Sequence, residues 1–132
     1  MKSLLFLPLL LLTVVFTSCK KETINEIVPN RTITTPVAFE DWHQDTPDGN
    51  YYVDIQMPEI DQRVWNTNGV LTYVSFDGVN FEAIPDVFFG STIGVTHKVG
   101  SIRLQVEGAD GSLANPPDDF TLKIVIVESD PA

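Results

Sequence analysis

The sequence predicts an all-β fold. It reads as an antiparallel β-sandwich of about seven strands, immunoglobulin-like or jelly-roll-like, preceded by a signal peptide and a flexible tether. Three observations point there. From Val37 to Ala132 the chain holds 12 Val, 7 Ile, 6 Phe, 3 Tyr and 2 Trp against 4 Leu and 5 Ala. β-Branched and aromatic side chains suit a pleated surface, whereas Leu and Ala suit helices. Several segments alternate apolar and polar residues with a period of two, and none sustains the apolar i, i+3, i+4, i+7 pattern of a helix. Turn signals recur every 8–12 residues or so, the spacing of a two-sheet sandwich.

Taken in order, a first strand is expected near Val37 to Phe39. Tyr51, Val53, Ile55 and Met57 then share one face, with Tyr52, Asp54 and Gln56 on the other. Asp61 to Asn66 reads as one helical turn with Asp61 as its N-cap. Val70 to Phe76 is a strand, Asp77-Gly78 a strong hairpin signal, and Val79 to Ile84 the return, ended by Pro85. Ile93 to Val99 and Ser101 to Glu107 form the next pair across Gly100. Phe120, Leu122, Ile124 and Ile126 alternate with Thr121, Lys123, Val125 and Val127. This last strand is apolar on both faces and so is expected to be central. Lys123 and Glu128 flank its Ile124-Val125-Ile126-Val127 run as guards against edge pairing.

The N-terminus carries a different signal. Lys2 precedes an apolar run from Leu4 to Phe16, 13 residues long. A membrane-spanning helix needs about 20, so this is a secretory segment. It ends in Thr17-Ser18-Cys19-Lys20-Lys21, with a small residue before the cysteine and charge after it. That arrangement resembles the lipobox of bacterial lipoproteins. The resemblance implies cleavage between Ser18 and Cys19, a diacylglyceryl thioether on Cys19, and attachment to the membrane through covalent lipid. Cys19 is the only cysteine, and an exported protein with one thiol makes no internal disulfide. Each buried CH₂ contributes ~0.8 kcal/mol, so two or three acyl chains hold where one is marginal. Lys20 is not the Asp that retains some lipoproteins at the inner membrane, which favours the outer one. Residues 1–18 are thus read as signal peptide, 19–36 as lipidated tether and 37–132 as the folded domain.

Charge narrows the function. The chain is −10 overall, and the domain alone has 4 Lys and Arg against 16 Asp and Glu, a net −12. A nucleic-acid partner is excluded, because phosphate calls for a basic surface.

Specific segments carry a resemblance. Asp54-Ile55-Gln56-Met57-Pro58 through Ile60-Asp61-Gln62, Gly69 to Val74, Phe81-Glu82-Ala83-Ile84-Pro85, Gly100 to Leu104 and Phe120 to Val127 together resemble a C-terminal domain of small lipoproteins of Bacteroidota. The resemblance covers about residues 37–129 and implies a β-sandwich. In that family a Gly-rich collagen-like segment often precedes the domain; here the short tether stands in its place. The matching motifs are strand patterns, which specify fold rather than activity.

Catalytic constellations are not legible. His43 and His97 are the only histidines, too few for a structural zinc site without carboxylates. Gly90-Ser91-Thr92-Ile93-Gly94 lacks the spacing of a nucleophile elbow, so no enzyme is expected. Two acidic loops have the oxygen-rich composition calcium uses: Asp45, Asp48 and Asn50 in one, Asp110, Asp118 and Asp119 in the other. Neither is an EF-hand, since the twelfth position from Asp45 is Gln56 rather than Glu. Asp and Asn are equally the ordinary formers of turns. Trp42, Trp65 and Tyr52 lie at or beside loops, where exposed rings stack on sugars, although aromatic rings more often cap a core. Phe88-Phe89 is a second aromatic patch with the same two readings. The expectation is a lipid-anchored envelope protein with a non-catalytic interaction or structural domain, contacting an envelope protein or a glycan. A small carbohydrate-binding module is the alternative. A calcium-stabilised adhesion-type domain or an enzyme is further off.

Overall fold

The computed structural model describes residues 27–47 and 49–132. Residues 1–18, the cleavage pair Ser18 and Cys19, and Asp48 lie outside the described residues. Among the described residues nine strands form two antiparallel sheets. They are β1 (Arg31–Val37), β2 (His43–Gln44), β3 (Tyr51–Met57), β4 (Gly69–Ser75), β5 (Glu82–Ile84), β6 (Asp86–Phe88), β7 (Ser91–Lys98), β8 (Gly100–Gly108) and β9 (Phe120–Val127). One sheet runs β1-β9-β4-β5 and the other β2-β3-β8-β7-β6. The β-sandwich is therefore observed, with two more strands than expected. Both additions are short: β2 covers the edge beside β3, and beyond Pro85, where the anticipated return ends as β5, the chain changes sheets to form β6 against β7.

The core lies between the sheets. Val53 and Met57 from β3, Ile102, Leu104 and Val106 from β8, and Phe120, Leu122, Ile124 and Ile126 from β9 are all buried, as alternation requires. β9 sits centrally, as its sequence implied, between β1 and β4. The helical turn is also found. α1 (Gln62–Thr67) starts at Asp61, whose Oδ1 accepts from Val64 N–H at 2.8 Å. Among the described residues no helix is long and apolar enough to cross a membrane.

One boundary needs correction. Residues 31–36, read as tether, form β1, paired with β9 from Arg31↔Ile126 to Val37↔Phe120. Phe39, placed in the first strand, instead begins a 3-10 turn over Phe39–Asp41. The physical reason is that β1 is an edge strand with one face in water. Its outward positions are Thr32, Thr34 and Pro36, so only Ile33 and Val37 give an apolar signal. Pro36 lacks an N–H, which an edge strand tolerates.

Register fixes two ends. Arg31, Met57, Gly69, Gly100 and Val127 meet at one end, together with α1. Val37, Tyr51, Ser75, Gly108 and Phe120 meet at the other. The chain enters the sandwich at the first of these. There the Glu128 side chain, 10% exposed, lies 2.9 Å from Arg63 and 3.8 Å from Arg31. The contact is ionic rather than an aligned hydrogen bond. Arg31 also donates to the Glu59 carbonyl at 3.4 Å.

Candidate functional site

The far end is built from loops. Phe89 and Gly90 form a two-residue connection between β6 and β7, with Phe88 paired to Ser91. Both connecting residues have positive φ, 51° for Phe89 and 79° for Gly90. That is the backbone of a type I′ hairpin, whose first position is ordinarily Asn, Asp or Gly because a larger side chain is strained there. Phe89 is nonetheless phenylalanine, and it is 95% exposed.

A cavity of about 240 Å³ lies beside this turn. Ile93 and Val106, both buried, lie at its base. Phe76, Phe88 and Phe89 make an aromatic wall, with Phe76 5.6 Å from Phe88 and 6.0 Å from Phe89, both edge-on. Pro116 and Pro117 line it from the β8–β9 loop, beside Ser91, Asn115 and Asp118. That loop is fixed to its surroundings. Ala109 N–H donates to the Gly90 carbonyl at 2.9 Å, and Phe39 N–H donates to Asp119 Oδ1 at 2.8 Å. Gly108 N–H reaches the Ser112 carbonyl at 2.7 Å, and a Cβ at Gly108 would collide with Ser112.

The electrostatics of this end are one-sided. The loops 38–50, 76–81 and 109–119 contain Glu40, Asp41, Asp45, Asp48, Asp77, Asp110, Asp118 and Asp119 and neither Lys nor Arg, while Lys123 of β9 sets its ammonium 4.0 Å over the Phe81 ring. Several of these carboxylates are occupied. Asp77 accepts from Val79 and Asn80 N–H and from the Asn80 amide, at 2.7 to 2.8 Å. Those bonds hold its carboxyl far below the usual range. Ser112 holds Asp110 below its ordinary value in the same way.

The residues expected from sequence are dispersed. Trp42 is 6% exposed and packs on Phe120 at 6.5 Å, so its ring is part of the core and has no face to offer a sugar. Tyr52 carries the Arg103 guanidinium 4.3 Å above its ring, and Arg103 is itself held by Asp54 through two bonds of 2.7 Å. That pairing lowers the Asp54 pKa. Trp65 is 52% exposed on α1, at the opposite end of the sandwich from Tyr52. The three rings do not make one platform.

The calcium candidates among the described residues are likewise not gathered. Asn50 contacts Glu107 at 3.5 Å, while Asp110 and Asp119 accept backbone N–H groups. Among the described residues no three His, Cys, Asp or Glu side chains converge as metal ligands. Of the aromatic patches, Phe88-Phe89 is the one at the cavity, and it divides by role: Phe88 is buried and Phe89 projects. Sequence reasoning missed Phe76 and the Pro116-Pro117 wall, which only the fold brings together. A usable signal was present in Phe89-Gly90, a turn dipeptide with an aromatic ring where Asn is the usual choice.

No family model, curated protein or solved structure matches this chain. What can be said of its class therefore comes from the molecule: a two-sheet antiparallel sandwich with an aromatic cavity, Asp118 the one acid in its lining, among the loops of one end.

Proposed function

We propose that this chain is a lipid-anchored protein of the bacterial cell envelope, and that its sandwich is a non-catalytic interaction domain presenting the far-end loops to a partner. One observation carries the reading. The chain enters the sandwich at Arg31, and the cavity lies at the opposite end, among loops that no strand continues. An anchor at Cys19 would stand eleven residues (20–30) before β1. At about 3.5 Å per residue they reach at most ~40 Å, so the domain is held near the membrane by the end that carries Arg31, which leaves the aromatic end untethered. The lipobox-like Ser18-Cys19 pair, the single cysteine and the likeness to small Bacteroidota lipoproteins support the anchor. Lys20 after the cysteine favours the outer membrane.

The test is metabolic labelling with palmitate. Wild type is expected to take up label, and Cys19→Ala to take up none and to appear in the soluble fraction. Equal labelling of both would overturn the reading.

A further inference from the structure

We infer that the far-end cavity receives a basic side chain, Arg or Lys flanked by apolar residues, from a peptide segment of a partner protein. The inference rests on the proposed reading, in which this end is left untethered. Four features combine.

The first is size. Sites for drug-sized ligands run roughly 300–1,000 Å³, and at about 240 Å³ this cavity matches one long side chain better than an extended ligand. The second is its lining. A guanidinium or ammonium on a methylene stem wants an apolar channel with charge at its end. Phe76, Phe88 and Phe89 supply π-systems that attract cations, and Asn115 and Asp118 supply oxygen acceptors. The third is ring geometry. The three phenyl rings meet edge-on at 62° and 76°, making a concave corner and not the flat platform a sugar face stacks on. The fourth is the field. The surrounding loops contain acids and neither Lys nor Arg, a negative excess that persists with Lys123 of β9 over Phe81, and it repels an anionic segment or a second copy of this acidic domain and steers a basic one inward.

Phe89 adds a separate argument. A residue at φ 51° carrying a 95% exposed aromatic ring costs folding stability and returns little packing. Backbone strain of this kind, kept for little packing return, clusters at functional sites.

The experiment uses the chain as isolated from cells, in detergent whether or not it carries lipid, and a fluorescently labelled capped peptide with Arg between two leucines, read by anisotropy. Its control replaces Arg by citrulline, which keeps the shape and removes the charge. The Arg peptide is expected to bind about tenfold more tightly than the citrulline peptide, the scale of a desolvated cation–π contact. Phe89→Asn, which keeps the turn and removes the ring, should weaken binding about fivefold or more, as should Asp118→Asn. Both variants should melt no lower than wild type by more than about 2 °C, since neither touches the core.

Equal affinity for the two peptides, binding indifferent to Phe89→Asn, or no binding of the Arg peptide at millimolar concentration overturns the inference. So does Phe89-dependent binding of a neutral glycan or of a second copy in place of the peptide. The anchor reading fails separately, on the palmitate result alone, so the two failures are distinguishable.

Discussion

At the scale of single residues, Phe89 is the most informative side chain in the molecule. A left-handed backbone costs an L-residue roughly 1–2 kcal/mol, while the edge-on contact with Phe76 returns about 0.5–1 kcal/mol. Asn relieves the first and forfeits the second. Phe89→Asn is therefore expected to be stabilising by up to about 1 kcal/mol, raising the melting temperature by a few degrees, as calorimetry would record. A fall of several degrees would show that the ring is held for folding. A gain would place it among residues kept for contact at the expense of stability. Trp42 teaches the opposite lesson. Its sequence context, between acids and a histidine, reads as a loop tip. The structure turns it inward onto Phe120 because the 3-10 turn at Phe39–Asp41 redirects the chain just before it. The preference of aromatic rings for capping a core already favoured its burial; what no local pattern encodes is the redirection that delivers it.

At the scale of elements, what was legible followed periodicity. β3, β8 and β9 each bury one side, so their alternation is visible, and their extents were read nearly residue for residue. β1 has only Ile33 and Val37 as clear inward markers, and β2 and β6 are too short to hold a period at all. The hairpin after β4 was half legible. Asp77-Gly78 does turn the chain, but pairing resumes only at Glu82, because Asp77 gathers the amides of Val79 and Asn80 into a wider loop. That capture sets a pH dependence. The folded-state pKa of Asp77 is depressed, so its contribution is complete above the unfolded value of about 4 and is lost as pH falls below it. Wild type should therefore melt higher than Asp77→Ala at pH 6, and the gap should narrow steadily on acidification below about pH 4. A gap that stays constant with pH would mean that the carboxylate charge plays no part.

At the scale of the whole molecule, charge is balanced at one end and acidic at the other. Arg31, Arg63 and Lys98 lie at the end where the chain enters, among Glu59, Asp61, Glu128 and Asp130, whereas the far loops contain acids and no Lys or Arg of their own. Glu128 belongs with the basic group and ties β1, α1 and the exit of β9 together. Because both arginines are partly exposed, the cluster is worth less than a fully buried pair. Glu128→Ala is expected to destabilise by about 1–2 kcal/mol in urea unfolding, with Arg63→Ala losing less. If Glu128→Ala matches wild type, the cluster is ornament and the end is held by strand pairing alone. The sequence showed Glu128 only as a charge after an apolar run. Its partners come from positions 31 and 63, and only the closure of the sandwich makes them neighbours. The cavity is hidden from sequence for the same reason, since Phe76, Phe89 and Pro116 belong to three separate loops.

The pairing of β1 with β9 has a mechanical consequence. A pull between Arg31 and the far loops runs along the strands, not across them. Seven residue pairs then share the load and must slide together before β1 can leave. A pull on both strands at the same end would instead open the pairs one at a time, as a zipper opens. Traction on a partner held at the far end would meet this sandwich along its stronger axis.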